Sequence, residues 1–191
     1  MGFTRLLVCA SLTGILVITA VGQGRAIKAP DCAQGNENVE RKEDRFTGET
    51  TVSLKPQTVT AALEQRLKVA LRYKIKPGGR GHAESFIPET VDVVFTSEAP
   101  GRVYPGETEL VFLIDGERVR RVPAAVNDDR SRLAAEGVIT QTVFTGMTVE
   151  TLRRIVRAKT VEMKLGDTEV KLNSELLDAI RAFAGCALAG N

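Results

Sequence analysis

The chain has 191 residues, and its 26 Lys and Arg residues nearly balance its 24 Asp and Glu residues, for a formal net charge of +2. Nucleic-acid binding proteins usually carry a clear basic excess, so this balance argues against that class. The chain has no Trp and only two Tyr, which makes the aromatic platforms common in sugar-binding and nucleic-acid-binding sites scarce as well.

The first 26 residues have the pattern of an export signal. Arg5 precedes an apolar run at 6–21, and a short stretch of small and polar residues follows. We predict cleavage after Ala26, with cleavage after Ala20 as the alternative, because Ala26 has the smaller residue at its minus-three position. The apolar run of 16 residues is shorter than the ~20 that span a bilayer. An uncleaved N-terminal membrane anchor is the alternative interpretation.

Cleavage would leave a periplasmic or secreted protein without a stable membrane span. It removes Arg5 and Arg25 but no acidic residue, so 24 basic and 24 acidic residues remain and the net charge becomes zero. We therefore expect no nucleic-acid partner. The location predicts a protein or another component of the cell envelope as the class of partner.

Cys32 and Cys186 are predicted to form a disulfide. An oxidising compartment allows them to pair once Cys9 has left with the signal. The bridge would close a loop of about 150 residues and, in the chain-entropy model, contribute up to ~5 kcal/mol. The rival interpretation, a metal or redox site, needs more ligands than two separated cysteines and a single histidine provide.

The mature chain has the length of one domain. Residues 27–48 are polar and poor in apolar side chains, so we expect a surface arm there. Residues 49–187 are predicted to form a single globular α+β domain.

Period-two alternation of apolar and mostly basic residues predicts a half-buried strand from Leu67 to Lys76. This strand ends at the glycine-rich loop 77–81. Asp115-Gly116 is a strong hairpin-turn signal between two further β-rich segments. The remaining strands are predicted at 91–96, 109–114, 117–122 and 138–144.

The last third of the chain predicts a helix, a hairpin and a second helix. Thr148 is expected to cap the first helix and Asn173 the second. Between the helices, Gly166-Asp167 predicts a two-residue turn that sets the hairpin register. That register contains two pairs of opposite charge and two apolar pairs: Lys164 with Glu169, Glu162 with Lys171, Met163 with Val170, and Val161 with Leu172.

The order of elements, with strands first and then helix, hairpin and helix, predicts an α+β fold. We expect a twisted antiparallel sheet with two short C-terminal helices packed on one face. A β-sandwich with a helical C-terminal extension is the alternative.

No motif specifies a reaction, so we predict no catalytic, cofactor-binding or metal-binding residue. The single histidine, His82, lies in a glycine-rich loop with Glu84 and Ser85. Neighbours in sequence rarely converge as a catalytic triad, because the base must meet a nucleophile presented by a different element. The same loop also lacks the spacing of a phosphate-binding P-loop.

The oxygen-rich segment 127–129, with Asp115 and Glu117, is the nearest candidate for a calcium site. It lacks the spacing of a calcium loop, and Arg130 and Arg132 lie beside it. A polar loop with ion pairs is therefore the favoured interpretation.

Three functional hypotheses follow. The favoured one is an exported, non-enzymatic domain that binds a protein or another envelope component through its sheet face or its loops. The second is an enzyme whose carboxylates or His82 meet only in the fold, which a pocket holding groups with displaced pKa values would favour. The third is a structural envelope protein that self-associates, which an exposed edge strand would favour.

Overall fold

The computed structural model describes residues 36–62, 65–76, 89–119, 122–127 and 138–188. These ranges contain ten β-strands and two α-helices. The elements in chain order are β1 (Val39–Glu43), β2 (Thr50–Ala62), β3 (Gln65–Ile75), β4 (Thr90–Ala99), β5 (Glu107–Ile114), β6 (Glu117–Arg118), β7 (Val122–Asn127), β8 (Ile139–Thr148), α1 (Val149–Arg157), β9 (Val161–Leu165), β10 (Thr168–Lys171) and α2 (Ser174–Leu188).

The ten described strands form one curled antiparallel sheet. Its order is β1-β2-β3-β4-β8-β7-β5-β9-β10, and the short β6 pairs with the end of β5 that β7 leaves free. Strands β1 to β4 are consecutive neighbours, and β8 returns to lie beside β4. The predicted α+β class, mostly antiparallel sheet with two C-terminal helices, is confirmed.

Both helices pack on the inner face of the sheet. Alternate residues of β3, β4 and β5 are buried, as expected of strands with one face on the core. Side chains from the sheet and from each helix line one interior space, among them Leu71, Phe95, Phe112, Ile155 and Ile180. Neither helix in the described ranges is long and apolar enough to cross a membrane.

The local signals at the two helix starts act as predicted. The Thr148 side chain accepts a hydrogen bond from the Thr151 backbone N–H at 3.2 Å. The Asn173 side chain accepts one from the Leu176 N–H at 2.8 Å. Each cap satisfies a backbone donor that has no partner inside its helix.

The predicted register of the β9–β10 hairpin is confirmed, including the pairs Lys164 with Glu169 and Glu162 with Lys171. Gly166 has a φ of 56°, which suits the first position of a type II′ turn. The Asp115-Gly116 turn is also present, with φ values of 50° and 82°. These positive angles at both central residues are those of a type I′ turn.

Several strands differ from the predicted segments. The residues predicted as one strand at 117–122 are divided between β6 and the start of β7. Val39–Glu43, within the segment predicted as a surface arm, forms β1 and pairs with β2. Only its first residue, Val39, is buried. In the described residues, the first strand therefore begins at Val39.

The longest strand, β2, had no clear sequence signal. Two register irregularities, between Leu54 and Gln57 and between Thr58 and Thr60, interrupt its pairing with β3. Pro56, which has no N–H to donate, falls within the first of them, where a proline is tolerated. Each irregularity disturbs the alternation on which strand prediction depends.

A network of polar side chains attaches the loop between β4 and β5 to the sheet. Gln141 is 1% exposed, and its Oε1 accepts hydrogen bonds from the N–H groups of Val103 at 2.7 Å and Tyr104 at 3.0 Å. Its Nε2 donates to the Tyr104 carbonyl at 2.9 Å. The Tyr104 hydroxyl in turn contacts Gln65 at 3.0 Å and Thr168 at 3.1 Å. The β4–β5 loop is thereby attached to β8, β3 and β10.

Candidate functional site

A groove of about 380 Å³ lies on the outer face of the sheet, the face turned away from the helices. We call it the outer groove. It lies over β5, β6, β9 and β10, and its volume is at the low end for ligand pockets. Its lining combines apolar and charged residues: Val111, Leu113, Arg118, Glu162, Met163, Lys164, Glu169, Val170 and Lys171.

Strand register brings the outward-facing residues of the groove together in two rows. Leu113 lies opposite Arg118 on one side and Glu162 on the other, and Glu162 lies opposite Lys171. In the second row, Val111 lies opposite Lys164, which faces Glu169. Leu113 is 38% exposed, which makes it one of the few large apolar side chains open to solvent among the described residues. The groove therefore joins an apolar strip to a band of alternating charges.

Lys164 and Glu169 form an ion pair in the groove. The Lys164 Nζ donates to the Glu169 Oε1 at 2.6 Å. This hydrogen bond and the attraction of the two charges raise the pKa of Lys164 and lower the pKa of Glu169. Each pKa thus lies further from neutral pH than its ordinary value, so both groups stay charged at neutral pH. A general acid or base needs the opposite, a pKa close to the working pH.

Asp115 anchors the hairpin that carries Leu113 and Arg118. Its Oδ1 accepts hydrogen bonds from the backbone N–H groups of Thr160 at 2.8 Å and Lys159 at 2.9 Å. These contacts attach the β5–β6 turn to the connection between α1 and β9. The carboxylate considered above as a calcium ligand is thus bound to N–H donors and has a positioning role.

Replacing Asp115 with asparagine should destabilise the protein at neutral pH and have less effect in acid. The Thr160 N–H, followed by the Lys159 N–H, lowers the pKa of Asp115 in the folded state. Its stabilising contribution is therefore complete above the unfolded-state pKa of about 4, and it is lost as the pH falls through the folded-state value. Asparagine tolerates the positive φ at this position, so the substitution tests the charge.

Urea unfolding of the wild type and of Asp115→Asn between neutral and acidic pH measures this effect. The difference in unfolding free energy between the wild type and Asp115→Asn should become smaller as the pH falls. A gap that stays constant across the titration would contradict the role of the ionised carboxylate.

The other residues considered as ligands or catalysts lie mostly outside the described ranges. This applies to His82, Glu84 and Ser85, and to Asp128 and Asp129, while Asn127 ends β7. Across the residues that the structure describes, no cluster of three or more His, Cys, Asp or Glu side chains is placed to hold a metal ion.

Cys186 is buried on α2, with 8% of its surface exposed. Cys32 lies outside the described ranges and no disulfide is seen within them, since Cys186 is the one cysteine that they contain. The bridge between the two residues stays a prediction. Helix α2 packs against β2 and β1, and Cys32 precedes Val39, the first residue of β1, by seven positions.

The apolar part of the groove was not recognised from the sequence. Val111 and Leu113 lie on the outer face of β5, while Leu110, Phe112 and Ile114 face the core. A strand with one solvent-exposed face should alternate between apolar and polar residues, whereas Leu110–Ile114 is apolar without interruption. That continuous run was the available signal, because it predicts a strand that is apolar on both faces.

A second depression, of about 280 Å³, lies on the same outer face over β3, β4 and β8. Phe144, which is 36% exposed, forms one side of it, and Arg72 lies opposite Asp92 across it. Gly146 on β8 lies opposite Asp92, and nothing lies within 4 Å of where its Cβ would be. This depression is smaller than the outer groove and has fewer charged groups in its lining.

No protein-family model, curated protein or solved structure matches this chain. The functional argument therefore rests on the residues of the chain and on the surface that its fold creates.

Proposed function

We propose that the protein is an exported, non-enzymatic interaction domain of the periplasm, and that it binds a protein or another envelope component at the outer groove. The export-signal pattern predicted at residues 1–26 supports this location. The observation that carries the proposal is the outer-face apolar strip of half-buried Val111 and exposed Leu113 beside the charged side chains of β9 and β10.

The chemistry of the groove favours a polypeptide segment as the ligand. Val111 and Leu113 offer an apolar surface, while Arg118, Glu162 and Lys171 present both signs of charge around it. Apolar contact supplies affinity, and the charges set orientation and exclude segments with the wrong pattern. An extended segment that carries both apolar and charged side chains meets these requirements.

The enzyme hypothesis is the alternative, and it depends on His82 or on carboxylates that meet in the fold. In the outer groove, the displaced pKa values belong to an ion pair whose members stay charged at neutral pH. The raised pKa of Tyr73, which results from burial, also moves away from neutral pH. These groups therefore do not supply the acid–base chemistry that the alternative requires.

Site-specific photo-cross-linking in the native host tests the proposed binding surface. A photoreactive amino acid at Leu113 of the full-length chain should give a distinct adduct with a partner protein. Val103 is the matched control position, because it is apolar and 37% exposed, against 38% for Leu113, but lies outside the groove. Arg118→Glu should weaken the Leu113 adduct severalfold, since Arg118 lies directly opposite Leu113.

Equal adducts from Leu113 and Val103, or no adduct from Leu113, would contradict the proposal. An adduct with the mass of two copies of this chain would identify self-association instead. Circular dichroism of each variant checks that the sheet is retained.

A further inference from the structure

The sheet has a free edge at β10. This strand pairs with β9 on one side, and no described strand lies on the other. The Leu172 N–H donates to the Val161 carbonyl at 2.9 Å, so the backbone of Leu172 faces β9. Backbone groups alternate along a strand, and those of Val170 therefore face β9 too. The N–H and C=O groups of Glu169 and Lys171 point to the free edge, where they can pair with another strand.

We propose that a second copy of this chain pairs with β10 through a two-fold antiparallel contact. A two-fold antiparallel pair places one residue opposite its own copy. With Val170 at that position, Glu169 lies opposite Lys171 of the second copy, and Lys171 lies opposite Glu169. These are the residues with free edge groups, so each pair can exchange two backbone hydrogen bonds and form a side-chain ion pair.

Charge selects this register over its neighbours. A two-fold axis at Glu169 would place that carboxylate opposite its own copy, and an axis at Lys171 would place two ammonium groups opposite each other. Like charges directly opposite destabilise a strand pair. The sequence Glu169-Val170-Lys171 is self-complementary only when Val170, the uncharged residue, lies on the axis.

The same register continues the charge pattern of the outer face. Within one chain, Glu162 lies opposite Lys171, and Lys164 lies opposite Glu169. Across the proposed contact, Lys171 would meet Glu169 of the second copy. The outer face would then carry a row of four side chains whose charges alternate between negative and positive. In order, they are Glu162 and Lys171 of one copy, followed by Glu169 and Lys164 of the second copy.

The opposite edge of the sheet does not offer such a contact. The four residues that follow Val39 in β1 are exposed and charged, Glu40, Arg41, Lys42 and Glu43. A two-fold antiparallel pair centred on any of them would place a charge opposite its own copy. The charges of β1 therefore protect that edge, whereas those of β10 favour pairing with another copy.

Sedimentation velocity of the protein, expressed as the full chain and purified, tests the contact. The wild type should shift from monomer to dimer as concentration rises. Glu169→Lys or Lys171→Glu alone should abolish the dimer, because each places like charges opposite one another at both ends of the contact. An equimolar mixture of the two variants should dimerise again, because opposite charges then meet at both ends.

Glu107→Lys and Lys55→Glu are matched controls, since they make the same charge changes at exposed positions on β5 and β2. Both should dimerise like the wild type. A wild type that stays monomeric at all concentrations, single variants that dimerise as well as the wild type, or folded variants whose mixture stays monomeric would each overturn the proposal.

Cross-linking on the axis provides a second test that keeps the charges intact. Val170→Cys should form a covalent dimer under oxidising conditions, because directly opposite residues approach within disulfide range. Thr168→Cys should not, because Thr168 lies away from the axis. Absence of the Val170→Cys dimer from folded protein would also overturn the contact. Glu169, Val170 and Lys171 also line the outer groove. The tests of the dimer measure oligomeric state, whereas those of the groove measure an adduct with a partner, so either proposal can fail alone.

Discussion

Replacing Gln141 with leucine should lower the free energy of unfolding by about 3 kcal/mol. Leucine is similar in size but cannot bond to the β4–β5 loop, so the buried N–H and C=O groups of Tyr104 lose their partner on β8. The Val103 N–H loses its bond as well. Each buried polar group left without a partner costs ~1–3 kcal/mol. Guanidinium unfolding monitored by circular dichroism measures the difference.

Gln57→Leu is the matched control for this prediction. Gln57 also makes side-chain hydrogen bonds, to Asn38 and to the Lys55 carbonyl, but the latter bond is exposed to solvent. Water replaces the lost partners there, so the same chemical change should have an effect below ~1 kcal/mol. Equal losses for the two variants would show that Gln141 does not stabilise the loop through its buried hydrogen bonds.

Replacing Cys32 with serine should lower the stability of the mature, oxidised protein by up to ~5 kcal/mol in the chain-entropy model. The predicted bridge to Cys186 closes a loop of about 150 residues. Its loss increases the conformational entropy of the unfolded chain, which favours unfolding. Cys32 is the better position to change, because Cys186 is buried and its replacement would also disturb packing around α2. Unfolding of both proteins with and without a reductant measures the contribution.

With reductant present, the wild type and Cys32→Ser should have nearly equal stability. The intact mass of the oxidised wild type should be two hydrogens lower than that of its reduced form, and the same spectrum identifies cleavage after Ala20 or Ala26. Two thiols that react with a labelling reagent in the exported, unfolded wild type would refute the bridge.

Local features of the fold were accessible from sequence because they depend on residues that lie close together along the chain. The β9–β10 register follows from the turn at Gly166-Asp167 and from side-chain pairs that surround it. The caps at Thr148 and Asn173 each act on a residue three positions away. In these cases the turn or cap residue and its partners are visible in one short window.

The features that the sequence did not predict depend on partners far away in the chain or on an interrupted pattern of apolar and polar residues. The alternation of β2 is disturbed by its register irregularities. The polar strand β1 buries one residue and is held by β2. The role of Gln141 was not visible either, because it binds a loop 37 residues earlier in the chain.

The sequence by itself determined the class of the fold, the positions of its turns and helix caps, and the pairing of charges along the last hairpin. Only the tertiary structure decided that β9 lies beside β5, which places Glu162 opposite Leu113, about 50 residues earlier. Pairing between distant strands depends on how the whole sheet buries its inner face and satisfies its backbone hydrogen bonds. The outer groove and the free edge of β10 are consequences of that arrangement.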